Sequence, residues 1–110
     1  MTATLLAQAT TETLNPTVTP ATNVNVRFSH CRRVGKTVML SILFDIPNIN
    51  NTNTVMTVSG IPLPAITVYA VAGNGNGYRP ISFNANGTII ANGDISAKQW
   101  LGVTFTYLSQ

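Results

Sequence analysis

A chain of 110 residues with 45% hydrophobic content is the size of one domain with a core of its own. Only 8% of the residues are charged, so Thr, Asn and Ser carry the polar surface, and a surface this poor in charge favours an assembly in which neighbouring subunits cover part of it. The lone Cys31 excludes an intrachain disulfide and a Cys-based zinc site, and the six Lys and Arg are too few, and too little interleaved with aromatic residues, for a nucleic-acid-binding surface.

Residues 1–23 are dominated by Thr, and Pro16 and Pro20 are spaced so that neither a helix nor a central strand persists through them. This stretch reads as a Thr/Pro-rich arm or linker, extended in character and suited to ordering against a partner subunit, ahead of a folded domain at 24–110. Met1 to Thr10 has no basic segment, and Leu5 to Ala7 is too short an apolar run for a secretory signal. No stretch reaches transmembrane length, so the expectation is a protein made without a signal peptide and without membrane insertion.

From Val24 the pattern turns to period two. Val24, Val26, Phe28 and His30 alternate with polar residues as in a half-buried strand, with His30 in register with the apolar set on the inner face. Arg33 to Lys36 form a turn into a long apolar run, Thr37 to Ile46, and the two strands make a hairpin. Pro47 and the Asn-rich residues 48–53 end it in a loop. Thr54 to Ser59 alternates again and stops at Gly60, and Pro62 and Pro64 frame a link into a fourth strand, Ala65 to Ala72.

Gly73 to Gly77 holds three glycines and suits a long flexible turn. Ile81 to Asn84 and Thr88 to Ala91 flank Ala85-Asn86-Gly87, a tight hairpin with the Asn-Gly signal. Trp100 to Leu108 closes the chain with Leu101, Val103, Phe105 and Tyr107 on one apolar face. No window supports a helix. The expectation is an all-β fold, an antiparallel β-sandwich or jelly-roll-like barrel of about seven or eight short strands.

The order Ile61-Pro-Leu-Pro, strand, Gly77-Tyr-Arg-Pro, strand, Asn86-Gly-Thr-Ile and a terminal Trp100-Leu-Gly-Val-Thr-Phe-Thr-Tyr-Leu resembles the C-terminal head domains of tailed-bacteriophage receptor-binding proteins, found in tail fibres and baseplates. The upstream turn Val34-Gly-Lys-Thr-Val is similar too, and the resemblance covers roughly the last 85 residues. It implies a β-barrel head assembled as a homotrimer at the end of the tail, a virion protein made in the host cytoplasm that docks host cell-wall or surface glycan and contacts other tail or baseplate proteins. Such proteins carry a shoulder and neck before the head, where this chain has residues 1–23, which implies an excised head or a short accessory subunit. The alternative role is a structural tail or baseplate subunit that binds neighbouring virion proteins and no sugar.

Catalysis needs a base beside a nucleophile or paired carboxylates, and one His, one Cys and three scattered acids, Glu12, Asp45 and Asp94, form no such constellation. The chain reads as a non-enzyme with no cofactor. His30 and Cys31 are adjacent on a strand, point to opposite faces and cannot share a metal, so no metal site is expected. The candidate saccharide-binding residues are Asn74 and Asn76, whose amides both donate and accept, Tyr78 and Arg79 beside them, the sole tryptophan Trp100 as a stacking face, and His30. Against these stand plainer roles: a flexible loop for 74–79, a core-edge or interface Trp100, and a packed or hydrogen-bonded His30.

Overall fold

The structure, a computed structural model, describes residues 11–21, 24–46, 54–74, 77–91 and 99–109, with the backbone alone described at 46, 74, 77–79 and 99. Nine strands follow in chain order among the described residues: β1 (Thr11–Leu14), β2 (Thr17–Pro20), β3 (Asn25–Val34), β4 (Thr37–Ile46), β5 (Thr54–Ser59), β6 (Val68–Asn74), β7 (Gly77–Phe83), β8 (Thr88–Ala91) and β9 (Gln99–Leu108). There is no helix among the described residues. The expected all-β fold is what the chain forms.

The strands build one antiparallel sheet in the order β1-β3-β4-β9-β6-β7-β8-β5-β2. Its two edge strands are consecutive in sequence, joined only by Asn15 and Pro16. Three Cα steps reach at most about 11 Å, so the sheet must curl until its edges nearly meet, as a barrel does. A single sheet curled on itself is the barrel-like form of the two architectures the sequence left open.

Both edge strands fall within the Thr-rich stretch 1–23. Pro16 breaks the stretch into two short pieces, and each adds to the chain's own sheet, β1 on β3 and β2 on β5. Leu14 and Val18 pack against the core from there.

The core follows from alternation in the two longest neighbours. Val38, Leu40, Ile42 and Phe44 of β4 and Leu101, Val103, Phe105 and Tyr107 of β9 are all buried, in paired register. Phe83 of β7 meets Phe105 at 5.3 Å between ring centres and Tyr107 edge-on at 5.5 Å. Each such side chain contributes about 1.5–3 kcal/mol by burial, and this β4–β9 pair is the spine of the domain. The Tyr107 hydroxyl donates to the Pro62 carbonyl at 2.6 Å and, with the Pro64–Ser109 bridge, ties the Pro-rich link to the end of β9.

Strand β3 departs from the simple alternation. A bulge between Val26 and Phe28 inserts Arg27 into the ladder and shifts the phase by one residue. Beyond it the inward positions are Ser29, Cys31 and Arg33, opposite buried Ile42, Leu40 and Val38, while Phe28, His30 and Arg32 face outward. The inner-face placement expected for Phe28 and His30 is therefore corrected.

The β6–β7 connection is also tighter than the expected long turn. Gly73 pairs with Tyr78 and Asn74 with Gly77, leaving only positions 75 and 76 between the strands. Glycine adopts extended backbone as readily as turn backbone, and Gly73 lies in the ladder on both sides, pairing with Gly102 of β9 as well. The β7–β8 hairpin forms as expected around Asn86-Gly87. Gly87 there has φ +92°, its N–H donates to the Asn84 carbonyl at 2.9 Å, and its carbonyl accepts from Val58 N–H at 2.8 Å.

Candidate functional site

Two surfaces bear on function: the outward face of β3-β4-β9-β6, and the end of the barrel at which β9 begins. The register assembles the face from rows across the strands. One row is Val34–Thr37–Leu108, the next Arg32–Met39–Thr106, then His30–Ser41–Thr104, then Phe28–Leu43–Gly102 with Gly73 beyond, and at the end Asp45–Trp100. At the centre the Ser41 and Thr104 hydroxyls share a hydrogen bond at 3.0 Å. Beside them Gly102, flanked by Phe28, Leu43 and Val71, floors an open groove of about 480 Å³.

His30 lies half-buried on this face. Its ring stacks on Phe28 at 6.2 Å and 13° between planes, and Nε2 is 3.4 Å from the Arg32 guanidinium.

Trp100 stands at the start of β9, 49% exposed, opposite Asp45, which forms an ion pair with Arg27 at 2.7 Å. The antiparallel pairing of Gly73 with Gly102 directs the β6–β7 turn toward the same end of β9. Backbone register thus sets the end of β6 at Asn74, the start of β7 at Gly77 and Trp100 at one end of the barrel. His30 is not among them: it pairs with Ser41, whose β9 partner Thr104 is four residues, about 13 Å, from Trp100. Asn76 lies outside the described residues, as do the side chains of Asn74, Tyr78 and Arg79. Arg79 pairs through its backbone with Ala72, and Pro80 with Val71.

Among the described residues, Glu12, Cys31 and Tyr107 are committed to structure. Glu12 accepts from Arg33 at 2.6 Å. Cys31 is fully buried, and loss of solvation raises its pKa despite a backbone hydrogen bond at Arg32 that favours the thiolate. Burial likewise pushes the Tyr107 phenol above its usual range, with Cys31 nearby adding to the effect. Among the described residues no three His, Cys, Asp or Glu side chains gather around a common point where a metal ion would bind.

The sequence reading missed the apolar outward face. Phe28, Val34, Met39, Tyr69, Val71, Trp100 and Leu108, seven of the eight exposed large hydrophobic residues among those described, lie on it. The signal was present. Met39 and Leu43 interleave with the buried set of β4, and Tyr69 and Val71 with Ala70 and Ala72, so both strands carry apolar residues on both faces. That is the pattern of a sheet covered on two sides.

The curled antiparallel barrel is similar in fold to the head domain of a phage receptor-binding protein. The particular likeness is to the crystal structure of the head domain of phage bIL170, described among the receptor binding domains of lactococcal phages, with a TM-score of 0.60 at 14% sequence identity. The match covers 88% of this chain and 99% of that one. The resemblance carried by the Tyr-Arg-Pro and Asn-Gly-Thr segments thus holds in the fold. No family model and no curated protein matches the sequence.

Proposed function

We propose that this protein is a noncatalytic phage receptor-binding head, an adhesin carried on the virion tail as a homotrimer, which attaches to host cell-surface saccharide. The observation that carries the reading is the shared architecture with the head domain of phage bIL170, which extends over nearly the whole of both chains. The barrel end supports it. Trp100 offers a half-exposed ring for the apolar face of a sugar, and the backbone of Asn74 and Gly77 runs to the same end of β9; the sequence there adds Asn74, Asn76, Tyr78 and Arg79, residue types whose amide, phenol and guanidinium groups suit sugar hydroxyls. His30 is a weaker candidate, since its ring is already stacked on Phe28.

The noncatalytic part of the reading rests on the placement of the acids. Of the three acids, Glu12 and Asp45 each hold an arginine, and the strand register sets them roughly 24 Å apart along β4, well beyond the separation of about 5–10 Å at which two carboxylates cleave a glycosidic bond, while Asp94 lies outside the described residues.

An array of bacterial cell-wall polysaccharides probed with the purified, assembled protein tests the proposal: saturable binding to a subset is expected, and an empty array with the assembly intact rules out a wall saccharide as receptor. The rival reading, a structural tail or baseplate subunit, draws on the apolar outward face, which suits packing against other virion proteins. Capture of tail proteins from dissociated particles, together with an empty array, would favour the rival.

A further inference from the structure

We propose that the groove over Gly102 is a second saccharide station, which continues the Trp100 surface along β9 so that the protein holds a linear glycan of three or more units and not a single terminal sugar. This deepens the proposed reading and rests on its saccharide part; it makes no use of the oligomeric state.

The case begins with Gly102. A glycine inside a strand weakens it, and where one stands it marks a bulge, a close approach of another backbone or the approach of a ligand. The β4–β9 register runs without a break through Leu43–Gly102, which excludes a bulge. A Cβ on Gly102 would meet only the Leu43 side chain at 3.8 Å and the Gly73 carbonyl at 3.9 Å, ordinary contacts, and the backbone is not left-handed. The fold has room for a side chain here and carries none. What that leaves is the open groove of about 480 Å³, within the range of about 300–1,000 Å³ over which ligand sites fall.

The groove divides its chemistry as a sugar does, with an apolar face and a polar rim. Phe28, Leu43 and Val71 supply the apolar surface. His30, stacked on Phe28 at 13° between planes, backs that ring, so less side-chain freedom is lost when a ligand covers it. The Ser41 and Thr104 hydroxyls spend one O–H on each other at 3.0 Å, which leaves the pair able both to donate and to accept. One row further, outward-facing Arg32 adds guanidinium donors.

The layout favours a glycan over a protein partner. An interface between proteins gathers apolar residues at its centre and polar ones at its rim. This face holds a hydroxyl pair at its centre, with exposed Val34 and Leu108 at one end and Trp100 at the other. Along it, Trp100, Gly102 and Thr104 lie on one side of β9 between buried Leu101, Val103 and Phe105, so successive stations stand about 7 Å apart, a little more than one unit of an extended glycan. One unit lies on the Trp100 ring, the next in the groove, and the third over the hydroxyl pair.

The test uses the full chain, the wall polysaccharide purified from a strain that the array identifies, and its mild-acid fragments of one, three and five units. Binding is read from the fluorescence of Trp100, the sole tryptophan. Gly102→Leu fills the groove without straining the barrel, and Phe28→Ala removes the exposed ring on β3, two strands from Trp100. Ile66→Lys is the control, since Ile66 is 77% exposed on the β5–β6 link and off the face. Circular dichroism verifies folding and sedimentation velocity the mass of the assembly.

Wild type and Ile66→Lys are expected to bind the three-unit fragment at least tenfold more tightly than the one-unit fragment, with little further gain at five. Gly102→Leu and Phe28→Ala keep the one-unit affinity and its fluorescence change and lose the gain. A gain that both variants retain, or a wild type that binds one and three units alike, would overturn the inference and leave the Trp100 reading standing. Dissociation of the assembly in both variants would give the face to another copy, and loss of tail-protein capture with the gain intact would give it to a virion protein; either overturns the inference. A wild type that binds no wall polysaccharide would overturn this inference and the saccharide reading together. Should Gly102→Leu fail to fold, Phe28→Ala alone decides.

Discussion

Gly87→Ala tests the hairpin geometry more sharply than any other single substitution. At φ +92° an alanine sits in backbone space that costs an L-residue about 1–2 kcal/mol. Its Cβ would also lie 2.5 Å from the Val58 carbonyl oxygen, closer than real Cβ atoms come, and that oxygen is main chain and cannot swing aside. Relief requires β5 and the hairpin to separate, which weakens the 2.8 Å bond from Val58 N–H to the Gly87 carbonyl at a further cost of about 1 kcal/mol. The expected loss is roughly 2–4 kcal/mol. Gly35 supplies the internal comparison: at φ +61° it carries similar backbone strain, but nothing lies within 4 Å of its Cβ, so Gly35→Ala should cost only about 1–2 kcal/mol. Urea unfolding followed by far-UV circular dichroism, at one protomer concentration so that association contributes equally, gives both values. Equal losses in the two variants would refute the close approach of the hairpin to β5.

Other perturbations separate core, surface and site. Tyr107→Phe removes the 2.6 Å bond to the Pro62 carbonyl and should lower stability by about 1–2 kcal/mol, read as a drop in Tm; an unchanged Tm would mean that the Pro-rich link is held by other contacts. Cys31 and Tyr107 both have folded pKa values raised by burial, so their contribution is complete below the ordinary values of 9.0 and 10.0 and is lost as pH rises beyond them toward the folded values. Tm should accordingly fall from pH 8 to pH 10.5, and fall less in Tyr107→Phe; identical slopes would contradict the buried phenol. The folded thiol should resist a maleimide reagent at pH 7.5 and react on unfolding, and immediate labelling would contradict its burial. Trp100→Ala should leave the fold intact and weaken saccharide binding at least tenfold, whereas Asp45→Asn should change stability by no more than about 1 kcal/mol and leave binding as it was. The reverse pattern, Asp45 essential and Trp100 dispensable, would move the site off the tryptophan.

Strands β4 and β9 were legible because each alternates through a full ten residues, with the core on Val38 to Phe44 and Leu101 to Tyr107. The β7–β8 hairpin was legible because Asn-Gly has one favoured use. Strand β3 was not read correctly. A bulge adds a residue without marking it, so Arg27 flipped His30 and Phe28 to the outside while the letters still alternated. Strands β1 and β2 were hidden for a different reason: at four residues each, with Leu14 and Val18 as their main apolar contributions, they take their stability from pairing with β3 and β5 and not from local pattern. At the candidate site, the sequence marked residues 74–79 and Trp100 separately by side-chain type. The approach of the β6 end at Asn74 to the start of β9 depends on the Gly73–Gly102 pairing, a long-range contact with no local signature. The apolar outward face was written in β4 and β6, in strands apolar on both sides, but a strand alone does not say which of two apolar faces is the core.

The most direct test of receptor binding is attachment of the purified, fluorescently labelled assembly to intact bacterial cells, with a panel that includes lactococcal strains and the same strains stripped of surface polysaccharide. Saturable attachment to some strains, lost on stripping and competed by the released polysaccharide, is the predicted result. Attachment to none, or attachment that persists undiminished on stripped cells, would contradict a saccharide-binding head.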